Sequence, residues 1–251
     1  MIRPGLLALF LIFLMALSLG LAPLKSHRIL EDAYSQVVVV SCQNGYGTGW
    51  FINHEYLVTA AHVVAGCERP QAIRGPWSSN LTVEAIDTQL DVALLRVENP
   101  PSWAHGLPLS YSVAIGDEAF VVGYPIQLYE ETGDIVKMSE IPRVNRVTVT
   151  WISPARPVFE FSPGTDAGNS GGPVVSTKSG GVIGIVVYAR QGVVSEGYYA
   201  LRMDALAQFL SEHGVEYEVA GSPNKLWLLG GLGLVAFLVV LELRGGRRGA
   251  Q

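Results

Sequence analysis

Apolar residues follow different patterns in different parts of the chain. Uncharged, apolar-rich stretches lie near both ends, at residues 4–24 and 226–241, whereas between them apolar and polar residues alternate or form short apolar runs. Alternation with a period of two is typical of half-buried strands, and short uninterrupted apolar runs are typical of fully buried ones. The central part of the chain is therefore predicted to be mainly β-structure.

The predicted strands fall into two groups. NPPS at residues 99–102 interrupts the apolar pattern, and we take 99–110 as the connection between a first group, at about 33–98, and a second group, at about 112–203. The clearest strand signals are Val37–Val40, Gly49–Val58, Val92–Val97, Ala119–Val122, Val144–Ile152, Val158–Phe161 and Val182–Val187.

A short helix is predicted after the second group of strands. Asp204 can serve as the N-cap of a helix over Ala205–His213, and Gly214 can end that helix. The helical segment is thus 204–213. Residues 214–225 then form a short tether to the second apolar stretch.

The first apolar stretch, at 4–24, is long enough to cross a bilayer at about 1.5 Å per residue. It is predicted to be either a signal peptide or an uncleaved signal anchor. Small residues at 16–18 and 20–22 resemble cleavage sites, but Pro23 directly follows the second of them. Both interpretations stay open, and we favour the anchor.

The second apolar stretch is followed by a basic tail at 244–251, which is typical of a stop-transfer segment. We predict a transmembrane helix at 226–243. Its uncharged part is short for a hydrocarbon core of about 30 Å, so a helix in the interface or packed on protein is the alternative. The positive-inside rule places the tail in the cytoplasm and, with the N-terminus also inside, residues 25–225 outside the cell membrane.

GNSGGP at residues 168–173 places one serine among small residues, where a backbone can approach a reacting carbonyl. Ser170 is therefore a candidate nucleophile, and the backbone N–H groups of Gly168 and Ser170 are candidates for an oxyanion hole. Glycine at 168 leaves that peptide free to point inward. Alone, the hexapeptide could equally be a glycine-rich turn.

Two further residues supply the partners that such a serine needs. His62, in TAAHVV at 59–64, comes just past Gly49–Val58 and is the candidate base. Asp91, directly before Val92–Val97, is the candidate orienting acid. A serine hydroxyl is a weak nucleophile until an imidazole takes its proton, and a carboxylate holds the tautomer of that imidazole. Each residue alone could be an ordinary polar or turn residue, but the three together in this order favour catalysis.

With these residues the chain resembles the trypsin-like serine proteases and, within them, the HtrA/Deg-type branch. The resemblance rests on TAAHVV, DVALLRV and GNSGGP, supported by GTGWF at 47–51, IGD at 115–117 and VVGYP at 121–125, and it covers roughly residues 33–213. It implies an all-β fold of two antiparallel six-stranded barrels with the short C-terminal helix, here flanked by the two predicted transmembrane helices. It also implies hydrolysis of peptide bonds in a cleft between the barrels, through an acyl-enzyme.

The resemblance also bears on activation. Trypsin-type digestive enzymes have an aspartate immediately before the serine, and it pairs with a new N-terminal amine after cleavage of the zymogen. Asn169 carries no charge for such a pair. We therefore expect no activation of that kind, and we expect nearby loops such as Gln127–Arg143 to shape the oxyanion hole.

Substrate-binding residues follow from the same registration. Gly164, six residues before the nucleophile, is expected at the base of the primary pocket, so a small or apolar substrate residue is favoured over a basic one. Asp166, close by in the sequence, is the carboxylate that would favour a basic residue instead. Val187, Tyr188 and Ala189 are expected to form the strand that pairs with the substrate backbone. Related enzymes often have a hydroxyl at position 187, so Asp91 is expected to be held differently here, unless the registration is wrong.

Cys42 and Cys67 are the two cysteines of the chain, and both fall near the histidine. A disulfide between them would suit an oxidising compartment and would steady the histidine turn. Two free buried thiols are the alternative, because pairing requires a Cα separation that the sequence does not provide.

Other functional classes find no support in the sequence. The net charge of −5 argues against nucleic-acid partners, and no metal-ligand spacing, phosphate loop or cofactor motif is present. Too few residues separate the helix from the second apolar stretch for the PDZ domain that many HtrA/Deg-type proteins carry. An α/β-hydrolase esterase would have Ser before Asp before His, the reverse of the order here.

The sequence thus predicts a membrane-anchored, extracytoplasmic serine endopeptidase. Its expected partners are protein or peptide substrates near the membrane surface, together with membrane lipid. The alternative is a catalytically silent trypsin-like fold that serves as a binding module. No oligomeric state is predicted.

Overall fold

The first barrel is built from strands in the N-terminal half of the chain. The computed structural model of the protein describes residues 28–187 and 198–220. The strands are β1 (Val37–Cys42), β2 (Gly45–Phe51), β3 (Tyr56–Thr59), β4 (Gln71–Arg74), β5 (Trp77–Asp87) and β6 (Val92–Val97). They close in the order β1-β2-β3-β6-β5-β4, with antiparallel pairing throughout.

The second barrel repeats the same order with later strands. These are β7 (Glu118–Gly123), β8 (Arg143–Ile152), β9 (Val158–Ser162), β10 (Pro173–Ser176), β11 (Val182–Val187) and β12 (Tyr198–Arg202). They close as β10-β11-β12-β9-β8-β7, again antiparallel. The predicted all-β fold with two six-stranded barrels is confirmed.

The run of four valines that opens β1 shows how one strand serves two cores. Successive side chains of a strand point to opposite faces. Val38 and Val40 belong to the interior of the first barrel, together with Phe51. Val37 and Val39 belong instead to a second cluster, which also includes residues of the second barrel. Because both faces are buried, the sequence of β1 is continuously apolar rather than alternating.

Helices occupy short stretches between and beside the strands. They are α1 (residues 28–36), α2 (Ala61–Val64), α3 (Ile126–Thr132), α4 (Ile135–Ser139) and α5 (Met203–Glu212). Gln127–Arg143, predicted as a loop, thus contains most of α3 and all of α4. Gly133 ends α3 in the left-handed conformation, and the Asp134 side chain accepts from the first N–H groups of α4.

The prediction that Asp204 is the N-cap of the last helix is wrong. Helix α5 follows β12 directly, so Arg202 is its N-cap and Asp204 lies in the first turn. The Asp204 carboxylate pairs with the Arg202 guanidinium. This pairing, together with the hydrogen bond from the Ala205 N–H, lowers the pKa of Asp204. The predicted end is confirmed, because Gly214 is left-handed and the Val215 N–H donates to the Leu210 carbonyl.

The start of the predicted tether contacts the connection between the two barrels. The Leu109 N–H donates to the Glu218 carbonyl at 2.7 Å, and the Ala220 N–H donates to the Leu109 carbonyl at 2.7 Å. Residues 218–220 therefore pair with Leu109 in the connection between the barrels. In the described ranges no helix is long and apolar enough to span a membrane. The spans predicted at 4–24 and 226–243 lie outside those ranges.

Candidate active site

A cleft of about 590 Å³ is lined by residues of both barrels. The first barrel contributes Tyr46, His62 and the two cysteines, and the second contributes the segment Thr165–Gly168, Ser170, Val187 and Tyr198. The cleft therefore brings His62 and Ser170 to one surface, although they are far apart in the sequence.

His62 and Asp91 are in direct contact. The Nδ1 of His62 lies 2.8 Å from Oδ2 and 3.1 Å from Oδ1 of Asp91. The backbone N–H of His62 also donates to Oδ1, at 3.0 Å. The carboxylate thus holds both the ring and the backbone of His62. With the proton on Nδ1, Nε2 is the nitrogen that can accept another.

His62 reaches this position from helix α2 rather than from an open turn. β3 ends at Thr59, Ala60 is extended, and the short helix begins at Ala61. Ala61 and Val64 are buried, so the helix is fixed by its apolar residues while the His62 side chain is 40% exposed. A base that must meet a substrate requires this exposure.

Asp91 has an unusual backbone conformation. Its φ is +57°, which makes it the one non-glycine residue with positive φ among residues 28–187 and 198–220. Aspartate and asparagine tolerate this region better than most residues, but it remains uncommon and slightly strained. β6 begins at the next residue, so the kink lies at the end of a strand and turns the carboxylate towards His62.

Val187 does not supply the hydroxyl that often supports such an aspartate. It is a buried residue at the end of β11, and it lines the cleft. The expectation that Asp91 is held in another way agrees with the bond from the His62 backbone N–H.

The Ser170 turn is fixed by backbone bonds to both barrels. Thr48 of β2 donates its N–H to the Ser170 carbonyl at 2.9 Å, and Gly171 donates its N–H to the Val186 carbonyl at 2.7 Å. The φ of Gly171 is +85°, and a Cβ at this position would lie 2.3 Å from the Thr48 carbonyl oxygen. Only glycine fits this approach. The Ser170 Oγ makes no hydrogen bond to any described residue, the His62 ring included.

The peptide between Ala167 and Gly168 has a fixed orientation. Its carbonyl accepts a hydrogen bond of 2.7 Å from the Ile126 N–H, at the start of α3. In a trans peptide the C=O and N–H point in opposite directions, so the Gly168 N–H is directed away from α3. Within the described ranges, neither this N–H nor that of Ser170 has an acceptor.

Thr48 is a residue that the sequence did not indicate as functional. It is fully buried, and its hydroxyl donates to the Gly168 carbonyl at 2.7 Å while accepting from the Tyr124 N–H at 3.0 Å. The Thr59 hydroxyl donates to the Thr48 carbonyl at 2.7 Å. One side chain of β2 thereby connects the first barrel, the end of β7 and the turn that carries Ser170. The sequence signal that could have indicated Thr48 is its position within GTGWF, one of the segments that support the resemblance.

Asn169 is buried, and its side-chain amide donates to the Thr165 hydroxyl. The neutral amide therefore has a neutral partner within its own loop. This arrangement agrees with the expectation that no charged amine is needed at this position.

Cys42 and Cys67 form a disulfide, with a Cα separation of 5.8 Å. Both residues line the cleft, and the bond closes a loop that contains β2, β3 and the His62 helix. The alternative of two free thiols is excluded.

The predicted substrate-binding residues are placed as follows. Gly164 lies beneath the Tyr198 ring, and Val187 lines the cleft. Tyr188 and Ala189 lie outside the described residues.

Two tyrosines of the cleft, Tyr46 and Tyr198, were not predicted. Burial raises the pKa of Tyr46 to about 12, and Glu130 and Tyr129 add to the effect.

Two six-stranded barrels with a His–Asp pair and a glycine-rich serine turn in their shared cleft define the trypsin-like class of folds. A family model described as trypsin-like peptidase domain matches residues 47–185, and the chain belongs to that family. The predicted family is thus confirmed.

Relatives in sequence are named as proteases. Serine protease Rv3671c of Mycobacterium tuberculosis is 30% identical over 147 residues, which are 56% of this chain and 35% of that protein. Protease Do-like 4, mitochondrial, of Arabidopsis thaliana is 27% identical over 147 residues, 56% of this chain and 27% of that protein. The chain therefore matches between about a quarter and a third of the length of these relatives.

Solved structures share the fold at lower identity. The active form of the M. tuberculosis Rv3671c protease superposes with a TM-score of 0.61 at 24% identity, covering 76% of this chain and 86% of that one. The serine endoprotease from Yersinia pestis has a TM-score of 0.61 at 20% identity, covering 75% of this chain and 65% of that one. At these identities the similarity supports the fold alone.

Proposed function

We propose that the protein is a serine endopeptidase in which Ser170, His62 and Asp91 form the catalytic triad. The observation that carries this proposal is the contact of the Asp91 carboxylate with both the Nδ1 and the backbone N–H of His62, on the cleft that Ser170 also lines. A surface histidine with no catalytic role has no need of a strained aspartate that binds it at two points.

The reaction follows from these positions. His62 Nε2 takes the Ser170 hydroxyl proton as Oγ attacks the peptide carbonyl, and Asp91 stabilises the imidazolium that results. The imidazolium then gives the proton to the leaving amine, and an acyl-enzyme remains on Ser170. Water, activated by the same imidazole, hydrolyses the ester and restores the serine.

The N–H groups of Gly168 and Ser170 form the oxyanion hole in this proposal. Both N–H groups lack an acceptor in the described part of the chain. The hydrogen bond from the Ile126 N–H to the Ala167 carbonyl keeps the Gly168 N–H directed away from α3. Donors fixed before the reaction stabilise the developing charge without reorganisation, and each is worth roughly 3 kcal/mol. The substrate residue before the scissile bond is small or apolar, since no carboxylate occupies position 164.

We further propose that this domain acts outside the cell membrane, on proteins or peptides near its surface. The apolar stretches at 4–24 and 226–243, with the basic tail at 244–251, support two membrane anchors and a cytoplasmic tail. The disulfide supports an oxidising compartment. The test uses sealed membrane vesicles of both orientations with a peptide tag after Gln251. Added protease should remove the tag only from inside-out vesicles, and removal from right-side-out vesicles would contradict this topology.

A fluorophosphonate probe tests catalysis in the full chain, because it reacts with a serine only when that serine is activated. Labelling is expected in the wild type and in Ser78→Ala, which removes an exposed serine of β5 with no role in the cleft. It should be lost in Ser170→Ala and strongly reduced in His62→Ala, with thermal unfolding unchanged. A folded wild type that never labels would refute the proposal and favour the silent binding module.

A further inference from the structure

The ring of Tyr198 fills the space beside Gly164. A Cβ built on Gly164 would lie 1.9 Å from Cε2 and 2.3 Å from Cδ2 of that ring. These separations are far below van der Waals contact, so the ring rests directly on the glycine backbone. Gly164, expected at the base of the primary pocket, is thus covered by an aromatic side chain of β12.

Tyr198 is supported from below. It is the first residue of β12, and it pairs with Phe161 of β9. The two rings are tilted by 41° with centroids 6.3 Å apart, and Phe161 is buried in the core of the second barrel. An aromatic ring held against a packed core does not move aside at low cost.

The ring of Tyr198 lines the same cleft as His62 and Ser170. The segment Thr165–Ala167, which precedes the serine turn, lines the cleft on one side, and Val186–Val187 of β11 line it on another. β11 is joined to the serine turn by two backbone bonds, from Gly171 to Val186 at 2.7 Å and from Val186 to Gly172 at 2.9 Å. Tyr198 is the residue of β12 in this lining.

We propose that Tyr198 closes the primary pocket from below and restricts the substrate residue before the scissile bond to small side chains. This inference rests on the proposed endopeptidase function and sharpens it. Glycine at 164 alone would allow large apolar side chains, but the ring takes up the volume that such a side chain would occupy. A methyl or isopropyl group ends above the ring. A benzyl group would have to displace it.

Kinetics with a graded substrate series test the proposal. The full-length chain, purified in detergent micelles, is assayed with peptide nitroanilides that differ only in the residue before the scissile bond: Ala, Val, Leu or Phe. The wild type should prefer Ala and Val. In Tyr198→Ala the ratio of kcat/KM for Phe to that for Ala should rise by about tenfold or more, since pocket volume is worth that much discrimination. Tyr198→Phe, which keeps the ring, should retain the wild-type order.

Tyr198→Leu provides a second variant if the alanine variant does not fold. Leucine still packs on Phe161 but reaches less far, so the ratio should shift in the same direction by a smaller factor. A wild type that prefers Phe, or an active Tyr198→Ala or Tyr198→Leu with an unchanged ratio, would overturn the inference.

A double-mutant cycle locates the ring independently of catalysis. Gly164→Ala should lower the midpoint of thermal unfolding in the wild type but much less in a Tyr198→Ala background, because the new Cβ then meets no ring. An equal decrease of the unfolding midpoint in both backgrounds would overturn the placement of the Tyr198 ring against Gly164.

Fluorophosphonate labelling separates the two levels of the proposal. A wild type that neither labels nor cleaves refutes the endopeptidase and this inference with it. Variants that label on Ser170 without any change in selectivity refute only the role of Tyr198.

Discussion

The Ile126 N–H donates to the Ala167 carbonyl at 2.7 Å. Ile126 is the first residue of α3, and Ala167 precedes the glycine whose N–H we assign to the oxyanion hole. One orphan N–H at a helix start thus fixes the peptide on which stabilisation of the transition state depends. The region predicted to shape the oxyanion hole, Gln127–Arg143, begins directly after this residue.

Replacement of Ile126 by proline tests this bond. Proline suits the first position of a helix, so α3 should still form. It removes the N–H, however, and directs a ring carbon at the Ala167 carbonyl. We expect kcat to fall by about 10²-fold, as for loss of one oxyanion donor. Ile126→Ala, which removes the side chain and keeps the N–H, is the matched control. Equal activity of the two variants would show that the bond does not set the peptide.

Thr48 is expected to act through its hydroxyl. In Thr48→Val, a replacement of similar shape, the Gly168 carbonyl and the Tyr124 N–H both lose their buried partner. Unpaired buried groups cost about 1–3 kcal/mol each, so the variant should unfold at lower temperature and react more slowly with the fluorophosphonate probe. Thr48→Ser keeps both bonds and should stay close to the wild type in both measurements. A serine variant as impaired as the valine variant would assign the effect to packing.

Asp91→Asn tests the orienting carboxylate without disturbing its backbone. Asparagine tolerates the positive φ of this position and can still accept from the His62 N–H, whereas it stabilises the wrong tautomer and no imidazolium. We expect kcat to fall by roughly 10⁴-fold, with the melting temperature nearly unchanged. A reduction of less than about tenfold would remove Asp91 from the triad.

The disulfide is expected to act mainly on stability. The bond joins residues 25 apart in sequence, and its loss should cost about 3 kcal/mol through the larger entropy of the unfolded chain. Thermal unfolding of the Cys42→Ser, Cys67→Ser double variant should therefore show a lower midpoint. Reductant should lower the midpoint of the wild type by a similar amount and leave that of the double variant unchanged. A wild type that is insensitive to reductant after unfolding and refolding would contradict this role.

The triad candidates could be predicted because each lies in a short motif that carries its own signal. Thr48 and Tyr198 could not, because their roles come from contacts between distant parts of the chain. The Thr48 hydroxyl meets a carbonyl 120 residues away, and the Tyr198 ring covers a glycine of another segment. The size and polarity of a side chain alone do not reveal contacts between residues that are distant in the sequence.

The same reasoning explains the strands and helices that were missed. β10 has only four residues, begins with Pro173 and follows the glycine-rich turn without a break, so its apolar pattern is too short to stand out. α3 and α4 lie in a largely polar stretch, and each fully buries only one apolar side chain, Leu128 in α3 and Met138 in α4. Asp204 was assigned as a cap because the direct passage of β12 into α5 has no sequence signal.

Tyr46 offers a test of the electrostatics at the edge of the cleft. Its hydroxyl is buried and has no hydrogen-bond partner among the described residues, and burial is the main cause of a pKa raised to about 12. A tyrosine in the unfolded chain ionises near pH 10. Between about pH 10 and 12 the unfolded state therefore releases this proton while the folded state keeps it, and the stability of the fold decreases as the pH rises.

Tyr46→Phe should remove the part of the stability loss above pH 10 that comes from ionisation of Tyr46. The free energy of unfolding at pH 7 should be equal to or higher than that of the wild type, because no hydrogen bond is lost, and its decline above pH 10 should be shallower. Activity at neutral pH should persist in Tyr46→Phe but fall in Tyr46→Ala, because the ring lies against Gly168, where a Cβ would be 3.1 Å from Cε2 of Tyr46. Denaturant titrations at a series of pH values measure the slope. A phenylalanine variant that is less stable at pH 7, with an unchanged alkaline slope, would show that the hydroxyl has a partner in the folded protein.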